Sequence, residues 1–174
     1  QPAIKSADNV MFELINEPVL SYANGGWGGN PAEPDFADHW NALKNFQNSI
    51  ISTIRNNGAD NVIWAAGLGW DQYYQLCATY PLTDPLNNVG YAVHWYPGYG
   101  AHDDYATLQQ IWDNTIKPCA DQYPINITET TWFKTLPGDS SYWELFNGSN
   151  EGFRKNTKAI FTAAANVSIA VHMN

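Results

Sequence analysis

The sequence predicts an α/β protein built around a parallel sheet, and three observations support this fold class. Short apolar runs rich in β-branched residues recur along the chain, longer stretches with helical periodicity separate them, and turn residues mark the boundaries. The alternation is typical of βα units, because parallel strands need a crossover connection that a helix supplies. With 174 residues, 44% of them hydrophobic, the chain can bury one sizeable core, so we expect a single domain over residues 1–174.

Five segments are predicted to be strands, since each is short and dominated by apolar or β-branched residues. They cover residues 10–15, 62–66, 90–94, 125–128 and 168–172. Three longer segments are predicted to be helices, over residues 37–57, 105–116 and 153–165. The first has apolar residues at spacings of three and four, which place them on one face, and the second stops before Pro118, which cannot continue it.

The charge and aromatic content disfavour nucleic acid and favour a neutral, ring-shaped ligand. Asp and Glu number 17 against 8 Lys and Arg, giving a net charge of -9, whereas a nucleic-acid-binding domain normally carries a basic face. Aromatic residues make up 14% of the chain, and sugars present flat C–H faces that lie on aromatic rings. Most aromatic side chains in a domain belong to its core, so composition alone does not assign the ligand.

The ends of the chain and its cysteines give further expectations. No apolar run reaches the about 18 residues that a membrane-spanning helix needs, so no membrane partner is expected. The chain lacks an initiator Met and a leader-like start, and we expect it to begin inside a longer sequence. Cys77 and Cys119 are compatible either with one disulfide or with two unpaired buried thiols.

Two glutamates follow predicted strands at the point where each strand ends. Glu17 stands in Asn16-Glu17-Pro18 after the first strand, and Glu129 comes directly after the strand 125–128. A single glutamate at a strand end is most often a solvated carboxylate. Two of them at the carboxyl ends of parallel strands can converge, and a pair of carboxyl groups is what glycoside hydrolysis requires.

The third strand ends in a histidine and a tyrosine that lie on one face, between the strands that carry the glutamates. They are His94 and Tyr96, two positions apart. Tyr96 can donate a hydrogen bond to Glu129 and stabilise its ionised form, and His94 can bind a sugar hydroxyl, although a histidine at a strand end is more often structural. No metal-binding, nucleotide-binding or serine-hydrolase motif is present, so we expect no metal and no cofactor.

These motifs together resemble glycoside hydrolase family 5. Its members carry Asn-Glu-Pro after the fourth strand, His-x-Tyr after the sixth and Glu after the seventh, matched here by Asn16-Glu17-Pro18, His94-Trp95-Tyr96 and Glu129. The resemblance implies a (β/α)8 TIM barrel and retaining cleavage of a β-linked polysaccharide. Glu17 matches the acid/base and Glu129 the nucleophile.

The resemblance also implies residues that contact the substrate. Asn16 matches a ligand of the sugar 2-hydroxyl, and His94 and Tyr96 match substrate-contacting positions. The candidate aromatic platforms for sugar rings all lie just beyond strand tips: Trp27, Trp70 and Trp132.

Only part of the family's barrel has a counterpart in the sequence. The five strands correspond to strands four through eight with their helices, so the resemblance predicts a partial barrel without the Arg and His of earlier strands and without the Trp of the last strand. Because an open sheet exposes strand edges, we expect a missing N-terminal half or a second copy to cover them.

The leading functional hypothesis is a secreted, extracellular, endo-acting hydrolase that cleaves a β-1,4-glucan such as cellulose. A mannan- or xyloglucan-cleaving enzyme of the same family is the nearest alternative. The alternative from another class is a carbohydrate-binding remnant of a barrel that holds the sugar without cleaving it.

Overall fold

The computed structural model describes residues 7, 9–18, 31–97, 102–130 and 149–172, which form one parallel sheet with helices packed on it. The strand order is β1-β2-β3-β4-β5, and each strand is parallel to its neighbours. The strands are β1 (Phe12–Glu13), β2 (Ile63–Ala65), β3 (Val89–Trp95), β4 (Ile125–Thr130) and β5 (Val167–His172). All five predicted strands are present, and the order is that of consecutive strands of a (β/α)8 barrel, so the predicted partial barrel is confirmed.

Helices fill the connections between the described strands. They are α1 (Phe36–Asn56), α2 (Leu68–Asp71), α3 (Tyr105–Thr115), α4 (Lys117–Ala120) and α5 (Asn150–Ala163). Three of them match the predicted helices to within a few residues, whereas α2 and α4 are single turns that the sequence did not predict. Pro118, predicted only to stop a helix, lies in the first turn of α4, where its missing N–H leaves no hydrogen bond unmade.

The hydrophobic core lies between the helices and one face of the sheet. Alternate strand residues point into it, among them Ala65, Val93 and Ile127, because successive side chains of a strand face opposite sides. The residues between them in register occupy the other face, where Glu13 is paired with Trp64 and Trp64 with Gly90. A side chain at Gly90 would overlap the Trp64 ring, so only glycine leaves room for the indole there.

A disulfide joins Cys77 to Cys119, which decides between the two alternatives that the sequence left open. Cys77 lies in the irregular segment between α2 and β3, and Cys119 lies in α4 just before β4. Both are fully buried, and their Cα atoms are 5.7 Å apart. The bond therefore ties the segment after β2 to the start of β4. In the described part of the chain, no helix is both long and apolar enough to cross a membrane.

Candidate active site

The carboxyl ends of β1, β3 and β4 bring the predicted catalytic residues to one edge of the sheet. Glu17 follows β1 with a left-handed backbone (φ 47°), which is uncommon for a residue other than glycine. Glu129 lies within β4 rather than after it, because the strand continues to Thr130, two residues beyond its predicted end. Register irregularities between Val93 and His94 and between Ile127 and Glu129 re-aim the side chains there, as bulges beside active sites often do.

His94 and Tyr96 connect the two glutamates. His94 Nδ1 shares a hydrogen bond of 2.8 Å with Glu17 Oε1 and lies 3.5 Å from Glu129 Oε2. The Tyr96 hydroxyl donates to Glu129 Oε2 over 3.2 Å. One oxygen of each glutamate and a ring nitrogen of His94 all lie within 4.8 Å of one another. The structure thus brings together four of the residues that the sequence proposed.

The cluster has an open side and a buried side. The side chains of Glu17 and Glu129 are about one-third exposed, whereas that of His94 is wholly buried. His94 Nδ1 faces the glutamates, and its Nε2 has no hydrogen-bond partner among the described residues. The direct sugar contact that the sequence suggested for His94 stays a prediction. Tyr96 borders a cavity of about 170 Å³ beside the cluster.

The sequence analysis missed a buried carboxylate beneath the cluster. Asp71 is wholly buried, and its Oδ2 accepts a hydrogen bond of 3.0 Å from the Glu17 backbone N–H. Its Oδ1 accepts one of 2.8 Å from the Gly67 N–H, and its Oδ2 lies 3.8 Å from His94 Nε2. The closely spaced Gly67 and Gly69 mark a turn after β2, but nothing in the sequence says that the aspartate after them turns inward.

Burial governs the titration of several groups around the cluster. Burial raises the pKa of Asp71 to about 7, although His94 and the two backbone N–H donors oppose the shift. Burial, together with the Glu129 charge, raises the pKa of Tyr96 to about 12, so its hydroxyl keeps its proton and stays a donor over the neutral range. The pKa of Glu13 is also raised, first by burial and further by Glu129, with His94 opposing.

The predicted substrate-binding residues are placed less completely. Asn16 is exposed and adjoins Glu17. Trp70 lies in α2, directly before Asp71, and is 36% exposed at the same end of the sheet. Trp27 and Trp132 lie outside the described residues. The sugar-platform role of all three tryptophans stays a prediction.

Among the residues that the structure describes, two groups of side chains have donor atoms close enough together to hold a cation. One is the cluster itself, Glu17, His94 and Glu129, and the other is formed by residues 33, 35 and 39 at the start of α1. In the first, the imidazole is already hydrogen-bonded to a carboxylate. In the second, the histidine pairs with the aspartate one turn before it at 3.2 Å. These contacts give one carboxylate of each group a protein partner, and we assign no metal to either group.

Comparisons with known proteins point to one family. The sequence model of cellulase, glycosyl hydrolase family 5, matches residues 3–162. An endoglucanase of Halalkalibacter akibai is 35% identical over 92 residues, which are 52% of this chain and 11% of that protein. Endoglucanase Z of Dickeya dadantii is 26% identical over 160 residues, covering 83% of this chain and 32% of that protein.

A solved structure shares the fold. The β-glucanase SdGluc5_26A of Saccharophagus degradans, in complex with cellotetraose, superposes with a TM-score of 0.69 at 20% identity, covering 92% of this chain and 44% of that one. The chain therefore spans less than half of this structure and at most about a third of the two endoglucanases.

Proposed function

Because this chain belongs to glycosyl hydrolase family 5, we propose that its five strands carry the acid/base and nucleophile of a retaining glycoside hydrolase. Glu17 is the proposed acid/base and Glu129 the proposed nucleophile. The observation that carries the proposal is the convergence of these two side chains, distant in sequence, on one buried imidazole. Because like charges repel, the contacts of His94 and Tyr96 with the two carboxylates are what hold the pair together.

The distance between the carboxylates favours the retaining mechanism. Retaining enzymes hold the two carboxyl groups about 5–5.5 Å apart, whereas inverting enzymes leave about 6.5–9.5 Å for a water molecule. One oxygen of Glu17 and one of Glu129 lie within 4.8 Å of each other, an approach that is consistent with the closer, retaining arrangement.

Each residue then has a defined part in a double displacement. Glu17 protonates the glycosidic oxygen as the bond breaks, and Glu129 attacks the anomeric carbon to form a glycosyl-enzyme. Glu17, now ionised, removes a proton from a water molecule that hydrolyses this intermediate. Tyr96 orients the nucleophile by donating to Oε2, and His94 orients the acid from its buried side.

For the substrate we propose a β-1,4-glucan cleaved at internal bonds. Two relatives are endoglucanases, and a similar structure was solved with cellotetraose, which supports a glucan for this chain. Asn16 and Trp70, both exposed and adjoining Glu17 and Asp71 in sequence, are proposed to contact the sugar. Mannan and xyloglucan are the alternative substrates, distinguished by turnover on each polymer.

We also propose a location and an assembly. A disulfide persists in oxidising surroundings, so Cys77–Cys119 supports an extracellular protein. In the described residues, β1 and β5 each have a single strand neighbour. Further strands from an N-terminal half, or a second copy, are proposed to cover these edges. A solution mass of 19.4 kDa for the 174-residue chain would argue against self-association.

The test is release of reducing sugar from carboxymethyl cellulose by the parent chain and by Glu17→Gln and Glu129→Gln. Loss of a catalytic carboxylate is expected to lower turnover by about three orders of magnitude or more, whereas cellotetraose binding persists. Glu151→Gln, which changes an exposed glutamate of α5, is the matched control and should keep parental activity. Parental turnover in Glu129→Gln would refute the mechanism.

The open sheet favours one second candidate, a carbohydrate-binding remnant that does not cleave. In that case the folded parent chain binds cellotetraose without releasing sugar, and Glu17→Gln changes affinity alone. Binding by calorimetry beside the turnover assay separates the two functions.

A further inference from the structure

Asp71 contacts Glu17 in two ways, one direct and one through His94, and together these contacts form a closed loop. Its Oδ2 accepts the Glu17 backbone N–H directly, at 3.0 Å. The same oxygen lies 3.8 Å from His94 Nε2, and the other nitrogen of that imidazole is hydrogen-bonded to the Glu17 carboxyl. Asp71 therefore holds the Glu17 backbone by a hydrogen bond, and its carboxylate faces, without a hydrogen bond, the buried imidazole that holds the Glu17 carboxyl.

The backbone around this loop is held in uncommon conformations. Glu17 has φ 47°, and Gly69, Trp70 and Asp71 have φ 55°, 57° and 58°. Each left-handed residue other than glycine costs about 1–2 kcal/mol, so three of them persist only where surrounding contacts hold them. The two hydrogen bonds that Asp71 accepts are contacts of this kind: that from Glu17 joins the two left-handed segments, and that from Gly67 closes the turn that contains Asp71.

We propose that Asp71 is a positioning residue for the acid/base Glu17, fixing its backbone directly and its carboxyl through His94. This inference rests on the proposed function. It gives α2 the task of holding Glu17 in position. Glu17 needs such contacts because it follows a strand of only two residues. Without Asp71, we expect the Glu17 carboxyl to lose its alignment with the glycosidic oxygen.

The kinetic test varies the leaving group. The dinitrophenolate group of a dinitrophenyl β-cellobioside leaves without being protonated, whereas the phenolate group of a phenyl β-cellobioside needs a proton from the acid. Asp71→Asn keeps the size of the side chain but replaces one acceptor oxygen by a donor, so it cannot accept both N–H groups. We expect kcat/KM on the phenyl glycoside to fall about 10- to 100-fold, and kcat/KM on the dinitrophenyl glycoside to fall less than about 3-fold.

The matched control is another aspartate whose side chain is largely covered, Asp84. Asp84 also accepts backbone N–H groups, from Leu86 and Asn88, but its charged partner is Arg55 at the other end of the sheet. Asp84→Asn is expected to lower the free energy of unfolding without changing the ratio between the two substrates. Equal losses on both substrates in Asp71→Asn would show a merely structural role and overturn the proposal.

A second measurement needs no turnover. The pKa of Asp71 is raised to about 7, chiefly by burial, with His94 opposing and Glu13 adding to the rise. If its carboxylate accepts both N–H groups, the amide resonances of Glu17 and Gly67 move together between pH 5 and 9 with a midpoint near 7. Asp71→Asn abolishes this shared midpoint if it folds.

The two proposals fail in different ways. A Glu17 amide that does not respond to pH while that of Gly67 does would overturn the contact on which the role of Asp71 rests. A parent chain that cleaves neither glycoside would refute the proposed function, and the catalytic role of Asp71 with it, even where the shared midpoint is observed. A large loss confined to the phenyl glycoside, together with the shared midpoint, supports both.

Discussion

The two glutamates of the site are held in place by different means. Glu129 is part of β4, which pairs with β3 on one side and β5 on the other, so sheet register fixes its backbone. Glu17 follows the two-residue β1, which within the described residues pairs with β2 alone, and it relies on Asp71 and His94. The Glu17 half of the site therefore depends on a few side chains, whereas the Glu129 half depends on backbone pairing. We expect the Glu17 half to be more sensitive to single substitutions.

Removing the disulfide that links the two halves of the site is expected to have the largest effect, a loss of stability. The disulfide Cys77–Cys119 joins residues 42 positions apart, from the segment after Asp71 to the helix before β4. The variant Cys77→Ala/Cys119→Ala should lower the free energy of unfolding by about 2–4 kcal/mol, because the unfolded chain gains conformational freedom. Urea unfolding measures this loss.

Hydrogen exchange then shows which half depends on the bond. In the double variant, we expect exchange to rise more in residues 72–88, the irregular segment, than in β4. A larger rise in β4 would contradict the view that sheet pairing secures the Glu129 half.

The substitution Gly67→Ala, next to the residues that hold Glu17, is expected to have the next largest effect. A side chain at Gly67 would overlap the Tyr74 ring, which is buried and donates its hydroxyl to the Ala92 carbonyl. Gly67→Ala should therefore displace the N–H that holds Asp71 and lower turnover of a phenyl glycoside by about 100-fold.

Gly90→Ala is the counterpart within the sheet, where the new side chain would overlap Trp64. It should reduce stability, measured by urea unfolding, while leaving the ratio between phenyl and dinitrophenyl substrates unchanged. If Gly90→Ala altered that ratio as much as Gly67→Ala, the two halves would not differ as described.

The smallest effect is expected for Tyr96→Phe. The variant removes one donor to Glu129, and a hydrogen bond to a charged group is worth about 1.5 kcal/mol, so kcat should fall about tenfold with KM nearly unchanged. Tyr105→Phe, which removes a hydroxyl that donates to Gln109 on the surface, is the control. A loss in Tyr96→Phe greater than that in Gly67→Ala would reverse the comparison.

The sequence predicted what depends on local pattern. Strands and long helices follow from hydrophobic periodicity, and Glu17, Glu129, His94 and Tyr96 were identified because each comes where an apolar strand ends. The predicted strand ends were less accurate: β4 includes Glu129, since Thr128 and Glu129 continue the ladder although they are polar.

What the sequence could not predict depends on contacts across the fold. Asp71 follows Gly69 and Trp70 in a stretch that looks like an ordinary surface turn, and its carboxyl turns inward on a left-handed backbone. The pairing of Cys77 with Cys119 likewise follows from the approach of two segments 42 positions apart, which spacing alone does not specify.

The order β1-β2-β3-β4-β5 also bears on how the site forms during folding. Each strand pairs with the one before it in sequence, so the sheet can grow one βα unit at a time. A folding intermediate containing β3 and β4 would already carry His94, Tyr96 and an ordered Glu129. Because Glu17 follows a strand of only two residues, we expect it to join the cluster last. A chain whose folding stopped before that step would have its nucleophile in place but not its acid. Such a chain could bind a sugar but could not cleave it.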